Sequence, residues 1–174
     1  SSFNSGLNLF KIKNIEIVNT KILEKKNLNN LFNIKLDSSN LLSVNKKTIQ
    51  QILKDNQLIK SIEIRKIYPN KLKIKIYEKE PIAILYNKTE KFYLTKIGEE
   101  IIFFKNKTLK NLPKIYGSQK NFLQVYSSLI DSEFPISEIK SFYYFDIGRW
   151  DIILKNSKII KLPVKDFDES LTNY

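Results

Sequence analysis

The sequence predicts an α+β fold in two successive modules, and three observations carry that expectation. Leu72, Ile74 and Ile76 alternate with Lys71, Lys73, Lys75 and Tyr77, the period of a strand with one dry and one wet face. Ile49, Ile52 and Leu53 recur at the three- and four-residue spacing of an amphipathic helix. After Pro81 the texture changes to short apolar runs broken by turn residues, which reads as β structure. The 174 residues are 42% hydrophobic, enough for a core in each of two small modules.

Residues 1–11 read as a polar lead-in, and Ile12, Ile15 and Ile17 mark a first strand over 12–19. A helical pattern follows from Leu23 to Phe32, with Leu28, Leu31 and Phe32 on one face. Asn45 is placed to cap the next helix, with Val44 before it and Ile49 at the fourth helical position, as in a hydrophobic staple. Two strands then form a hairpin over Leu58–Glu78, turning at Pro69-Asn70, because Pro fixes φ and has no N–H to give a sheet. The first module is therefore strand, helix, helix, strand, strand over residues 12–80. In the second module, residues 81–174, strands are expected at Ile82–Tyr86, Lys91–Thr95 and Glu100–Phe104, with a bend at Gly98. Leu112-Pro113-Lys114-Ile115-Tyr116-Gly117 reads as a rigid, punctuated segment before a helix. Ser118 is its expected cap, and Phe122, Tyr126, Leu129 and Ile130 its apolar face. Three strands follow, Ser137–Asp146, Trp150–Leu154 and Lys158–Leu162, the last two joined at Asn156-Ser157. Residues 165–174 read as the start of another helix.

Composition removes whole classes of chemistry. The chain has neither Cys nor His, so disulfides, thiolate metal sites and imidazole catalysis are absent. No cofactor, metal or catalytic residue is expected, since without His or Cys a nucleophile–base pairing could be assembled only through Lys or carboxylates. The net charge of +12 is nearly all lysine, with Arg65 and Arg149 as the only arginines. Arg is the residue that reads bases and clamps phosphate, so the lysines read as solvated faces and nucleic acid is not the expected partner. Attraction to an anionic membrane surface stays open. No apolar run is long enough to span a bilayer. The chain begins at Ser1 and contains no Met, so an upstream signal peptide or membrane anchor is expected.

Glu78 and Glu80 flank Lys79 at a strand end, a spacing that suits structural or ion-pairing roles better than a catalytic pair across a cleft. The row Lys71, Lys73 and Lys75 reads as the wet face of a sheet. Tyr143, Tyr144 and Phe145 read as core aromatics.

The order of elements, together with Ile62–Ala83, resembles the FtsQ/DivIB family of bacterial division proteins. That family carries a hydrophobic strand, an Arg, Pro-x-x-Leu, an alternating strand and Glu-x-x-Pro-x-Ala. The corresponding residues here are Arg65, Pro69 to Leu72, and Glu78 to Ala83. Leu112-Pro113 with Tyr116-Gly117 is similar to its Leu-Pro…Gly segment, and Arg149-Trp150-Asp151-Ile152-Ile153-Leu154 to its late Arg-Trp hairpin. The resemblance implies a POTRA domain over residues 12–80, a three-stranded mixed sheet with two helices on one face. An FtsQ-type β domain over residues 81–174 would follow, stopping short of the family's partner-binding strands. It further implies a non-enzymatic scaffold of the divisome at the periplasmic face of the inner membrane, in cell division and septum formation. Its partners would be of the FtsB and FtsL type, with other divisome components at the POTRA domain. The alternatives are a POTRA-containing outer-membrane assembly or secretion factor and, further off, a basic nucleic-acid-binding protein.

The mechanism expected of such a scaffold is β-augmentation, in which a partner strand adds to an exposed sheet edge. The first hairpin offers one edge, and the strands around Trp150–Leu162 the other. Expected contact residues are Arg149, Trp150, Ile152 and Ile160 in the second module and Arg65 and Tyr68 in the first. Arg149 beside an aromatic is the typical pairing of a binding hot spot, whereas Trp150 itself reads as core or near-core.

Overall fold

The alternating lysine-and-isoleucine strand becomes the central strand of the first of two sheets. The computed structural model describes residues 8–163, and the chain divides into two units between Lys79 and Glu80. In the first unit β1 (Asn14–Val18) is followed by α1 (Lys25–Lys35), α2 (Lys46–Leu53), β2 (Ile59–Ile67) and β3 (Lys71–Glu78). The sheet order is β1-β3-β2, with β1 parallel and β2 antiparallel to β3. Leu72, Ile74 and Ile76 of β3 are wholly buried with Phe32 of α1 and Ile49 of α2, each such side chain contributing about 1.5–3 kcal/mol. Asn45 caps α2 as its spacing predicts, its Oδ1 accepting the Thr48 N–H at 3.0 Å.

Two details depart from the sequence pattern. The first helix begins at Lys25, not Leu23, because the amides of Lys21, Ile22 and Leu23 all donate to the Glu78 carboxylate and hold that stretch as a loop. The end of the expected lead-in belongs to the unit. Lys11 bridges Asn40, and the Phe10 carbonyl accepts the Leu41 N–H at 2.8 Å.

The second unit is a sheet of seven strands, β4 (Pro81–Asn87), β5 (Glu90–Thr95), β6 (Glu100–Ile102), β7 (Lys114–Tyr116), β8 (Ile139–Tyr144), β9 (Trp150–Leu154) and β10 (Ile159–Leu162). Their spatial order is β10-β9-β8-β7-β4-β5-β6, with β7 parallel to both its neighbours. Helix α3 (Phe122–Asp131) buries Phe122, Val125 and Leu129 in one core with Leu85, Ile115, Phe142, Trp150 and Ile152. Its apolar face is thus turned toward Val125, leaving Ile130 exposed and Tyr126 only partly covered. Ser118 does not cap it. The Ser118 Oγ accepts the Lys120 N–H inside the preceding loop, and the N-cap position falls on Asn121, in the left-handed region and with no side-chain cap bond.

The punctuated segment Lys114–Tyr116 proves to be β7, the middle of the sheet. Gly117 ends it at φ +94°, where a Cβ would sit 2.6 Å from the Tyr144 carbonyl oxygen. The strand expected from Ser137 begins instead at Ile139, because Ile136–Glu138 form a 3-10 turn after Pro135. The β9–β10 turn places Ser157 at φ +68° and closes with the Leu154 N–H on the Lys158 carbonyl at 2.9 Å. The helix expected over 165–174 lies outside the described residues.

Candidate partner-binding edges

A sheet edge can accept a partner strand only where its N–H and C=O groups point outward. In an antiparallel ladder, directly opposed residues alternate between pairs that exchange hydrogen bonds and pairs that do not. The Leu154 N–H donates to the Lys158 carbonyl, so the pairs two and four residues further along, Ile152–Ile160 and Trp150–Leu162, are the bonded ones. The backbone groups of Ile159 and Lys161 therefore face away from β9. Among the described residues no strand lies on that side of β10. In the first unit β1 and β2 are the outer strands, and the lysine-bearing β3 is central with no free edge.

The side chains along β10 alternate in accessibility. Ile160 and Leu162 are buried against the core, whereas Ile159 is 55% exposed and Lys161 points to solvent. Of the residues expected to touch a partner, Trp150 and Ile152 are wholly buried and Ile160 is 5% exposed. All three are buried in the core that also holds Phe122, Val125 and Leu129 of α3, and none presents a surface. Among the described residues the Trp150 indole N–H has no hydrogen-bond partner.

Arg149 lies on the opposite face. Its Nε donates to Asp151 Oδ1 at 2.9 Å, and the guanidinium sits 4.7 Å from the Phe145 ring centroid. The cation is already engaged by its neighbours. Arg65 is exposed on β2, and Tyr68 is 55% exposed with its ring edge-on to Phe10. Arg65 and Tyr68 thus belong to one unit, and the other four residues to the second.

The open face of the seven-stranded sheet carries a feature that the sequence reading missed. Tyr86, Tyr116 and Tyr143 are register partners on three adjacent strands, their rings stacked at 5.0 and 4.7 Å. They point away from α3, since the alternating positions Leu85, Ile115 and Phe142 are in its core. Lys91 lies over the Tyr86 ring at 5.0 Å, and Asp151 and Lys161 continue the row across β9 and β10. Burial, then the neighbouring Tyr143 and Tyr86, pushes the Tyr116 phenol above its ordinary range. The only sequence signal was Tyr143 within an aromatic run.

Several other charged groups have structural partners. Lys71 and Lys73 flank Glu16, Lys75 sits over the Tyr77 ring, and the Tyr77 hydroxyl donates to Glu63 at 3.1 Å. Glu80 pairs with Lys96. In the Glu-x-x-Pro-x-Ala motif, Glu78 ties down the loop before α1, Pro81 opens β4, and Ala83 is wholly buried in the second core. Among the described residues no three acidic side chains gather to hold a metal ion, and no helix is long and apolar enough to cross a membrane.

A mixed three-stranded sheet under two helices, followed by a β-rich unit, defines a POTRA domain joined to a β domain. Residues 10–79 match the family model described as "POTRA domain, FtsQ-type". Beyond that domain, the chain is similar over most of its length to bacterial cell-division proteins of the FtsQ/DivIB family. It is 29% identical to cell division protein FtsQ of Rickettsia bellii over 167 residues, 93% of this chain and 61% of that protein. It is 27% identical to FtsQ of Bartonella bacilliformis over 71% of this chain and 41% of that one. The chain therefore spans less than two thirds of the length of each of these relatives. A solved structure of the major extracytoplasmic domain of DivIB from Geobacillus stearothermophilus aligns with a TM-score of 0.38 and 13% identity. That alignment covers 56% of this chain and 89% of the DivIB chain.

Proposed function

We propose that this chain is the extracytoplasmic part of a divisome scaffold that carries out no reaction of its own and holds its partners by strand addition. The observation that carries this reading is the β10 edge. It has outward backbone groups at Ile159 and Lys161, a dry inner face at Ile160 and Leu162, and a packed floor at Trp150 and Ile152. A strand added there gains main-chain hydrogen bonds, with alternate side chains giving selectivity. The partners proposed are division proteins of the FtsB and FtsL type. The β2 edge of the POTRA domain is offered to other components, and a membrane segment upstream of this chain would hold the protein at the periplasmic face of the inner membrane.

Proline at an outward-facing edge position removes a donor without breaking the ladder inside. Lys161→Pro should therefore leave the unit folded, with an unchanged melting transition, while abolishing capture of a co-expressed FtsB–FtsL-type pair by the full-length protein. Arg149→Ala should weaken capture little, because its guanidinium is held by Asp151 and Phe145. Undiminished capture by folded Lys161→Pro would remove β10 as the docking edge.

A further inference from the structure

One end of the POTRA domain gathers three stretches that are far apart in sequence. The Leu41 N–H donates to the Phe10 carbonyl, and the Ile12 N–H to the Ser39 carbonyl at 3.0 Å. Lys66 Nζ donates to the Leu42 carbonyl at 3.1 Å, the Tyr68 ring meets Phe10, and the Lys13 N–H donates to the Asn70 carbonyl at 2.9 Å. Residues 8–13, 39–47 and 66–70 thus form one surface, at the end where β1 and β3 begin and β2 finishes.

That surface is unusual in two respects at once. Three large side chains protrude from it, Leu9, Leu42 and Tyr68, each more than half exposed. Around them the three stretches carry Lys11, Lys13, Lys46, Lys47 and Lys66 and no Asp or Glu. The opposite end of the same sheet differs, since Glu24, Asp55 and Glu78 are interspersed there with its lysines. Lys46 and Lys47 also occupy the first turn of α2, which has no acidic residue. Cations are disfavoured at that pole of the helix dipole, so an anionic surface opposite them would relieve a local cost.

Leucine and tyrosine tips ringed by lysines, with no acid within the three stretches and the exposed Asp37 two residues outside them, match the headgroup boundary of an anionic bilayer. There apolar tips sink below the phosphates, and long ammonium side chains remain level with them. We propose that this end of the POTRA domain is a lipid-facing surface that seats Leu9, Leu42 and Tyr68 at that boundary. The occupant is the membrane itself, and the lysines supply the attraction. This surface is independent of the β10 edge.

The test is co-sedimentation of the full chain with phosphatidylcholine vesicles, with and without phosphatidylglycerol. Binding is expected only to the anionic vesicles, weakening steeply with salt. Lys46→Glu with Lys47→Glu should lower affinity by roughly tenfold or more. Leu42→Ser should lower it several-fold, and Lys54→Glu with Lys60→Glu at the opposite end about twofold or less. All are exposed positions, and matching melting transitions check that the variants fold. Equal loss at the two ends would overturn the proposal by showing diffuse charge attraction. Unchanged binding by Leu42→Ser would overturn it by showing that no side chain inserts. Displacement by millimolar inorganic phosphate would overturn it in favour of a soluble-anion site. Lys161→Pro should leave vesicle binding intact, so failure of the edge reading and failure of this one are told apart.

Discussion

Replacing Glu78 is the sharpest test of how the POTRA domain is held together. Its carboxylate accepts the Leu23 N–H at 2.8 Å, the Lys21 N–H at 3.0 Å, and the Ile22 N–H on both oxygens at 3.0 and 3.1 Å. These amides lie in the loop before α1, whose N-cap residue Glu24 makes no side-chain cap bond, so Glu78 anchors the entry to the helix from β3 and leaves its first-turn N–H groups untouched. A hydrogen bond to a charged group contributes about 1.5–3 kcal/mol when well shielded. The Lys21 bond is exposed and the others half-buried, so water recovers part of each, and about 2–3 kcal/mol for all three is the reasonable sum. Glu78→Ala should cost that much, a large share of the roughly 5–15 kcal/mol that holds a domain folded. In a unit of this size it corresponds to a fall in melting temperature of about 10–20 °C. Glu78→Gln keeps one acceptor oxygen and turns a donor toward the third amide, so about half the loss is expected. Calorimetry gives the magnitude, and amide hydrogen exchange gives the place. The Lys21, Ile22 and Leu23 amides should lose protection in Glu78→Gln well before the β3 amides of Leu72, Ile74 and Ile76. If that variant melts like the parent and those three amides stay protected, the carboxylate is not the tie described here.

Gly117→Ala forces a Cβ to within 2.6 Å of the Tyr144 carbonyl at a φ of +94°. It should destabilise the β domain by about 3 kcal/mol or more in denaturant titration, while Gly98→Ala, whose Cβ would meet only the tip of Leu123, should cost less. The hydrogen bond from Lys71, and then the charges of Lys71, Lys73 and Lys25, hold the Glu16 carboxyl below its ordinary value, against a smaller upward push from desolvation. A folded-state value below the unfolded one gives stability that is present above the ordinary glutamate range and lost as pH falls through the folded value. Glu16→Gln should therefore narrow the difference in melting temperature between neutral and strongly acidic solution.

What could be read from the chain in advance was whatever is decided within a few residues. Alternation placed β3, Asn45 announced its own helix, and the turn at Asn156-Ser157 marked the last hairpin. The unread parts depend on partners across the fold. Strand β7 is only three residues long and lies parallel to two strands remote in sequence, so nothing local distinguishes Lys114–Tyr116 from a rigid loop. Glu78 meets amides 55–57 residues away, and a carboxylate at a strand end carries no mark of such a partner. In β8 both faces are aromatic, Phe142 and Tyr144 on one and Tyr143 on the other, so period two cannot say which side is dry.

The expected contact residues show the same limit from the other side. In β9 Trp150, Asp151 and Ile152 are all buried, and a buried side chain cannot itself be the surface a partner touches. For strand addition the recognition element is the backbone of Ile159 and Lys161, which any side chain but proline would offer equally. Side-chain chemistry is therefore a poor guide to that edge. The hairpin register, set by the Leu154–Lys158 bond, is the better one, since slipping it by one residue would turn the outward groups in and bring Ile159 onto the core face.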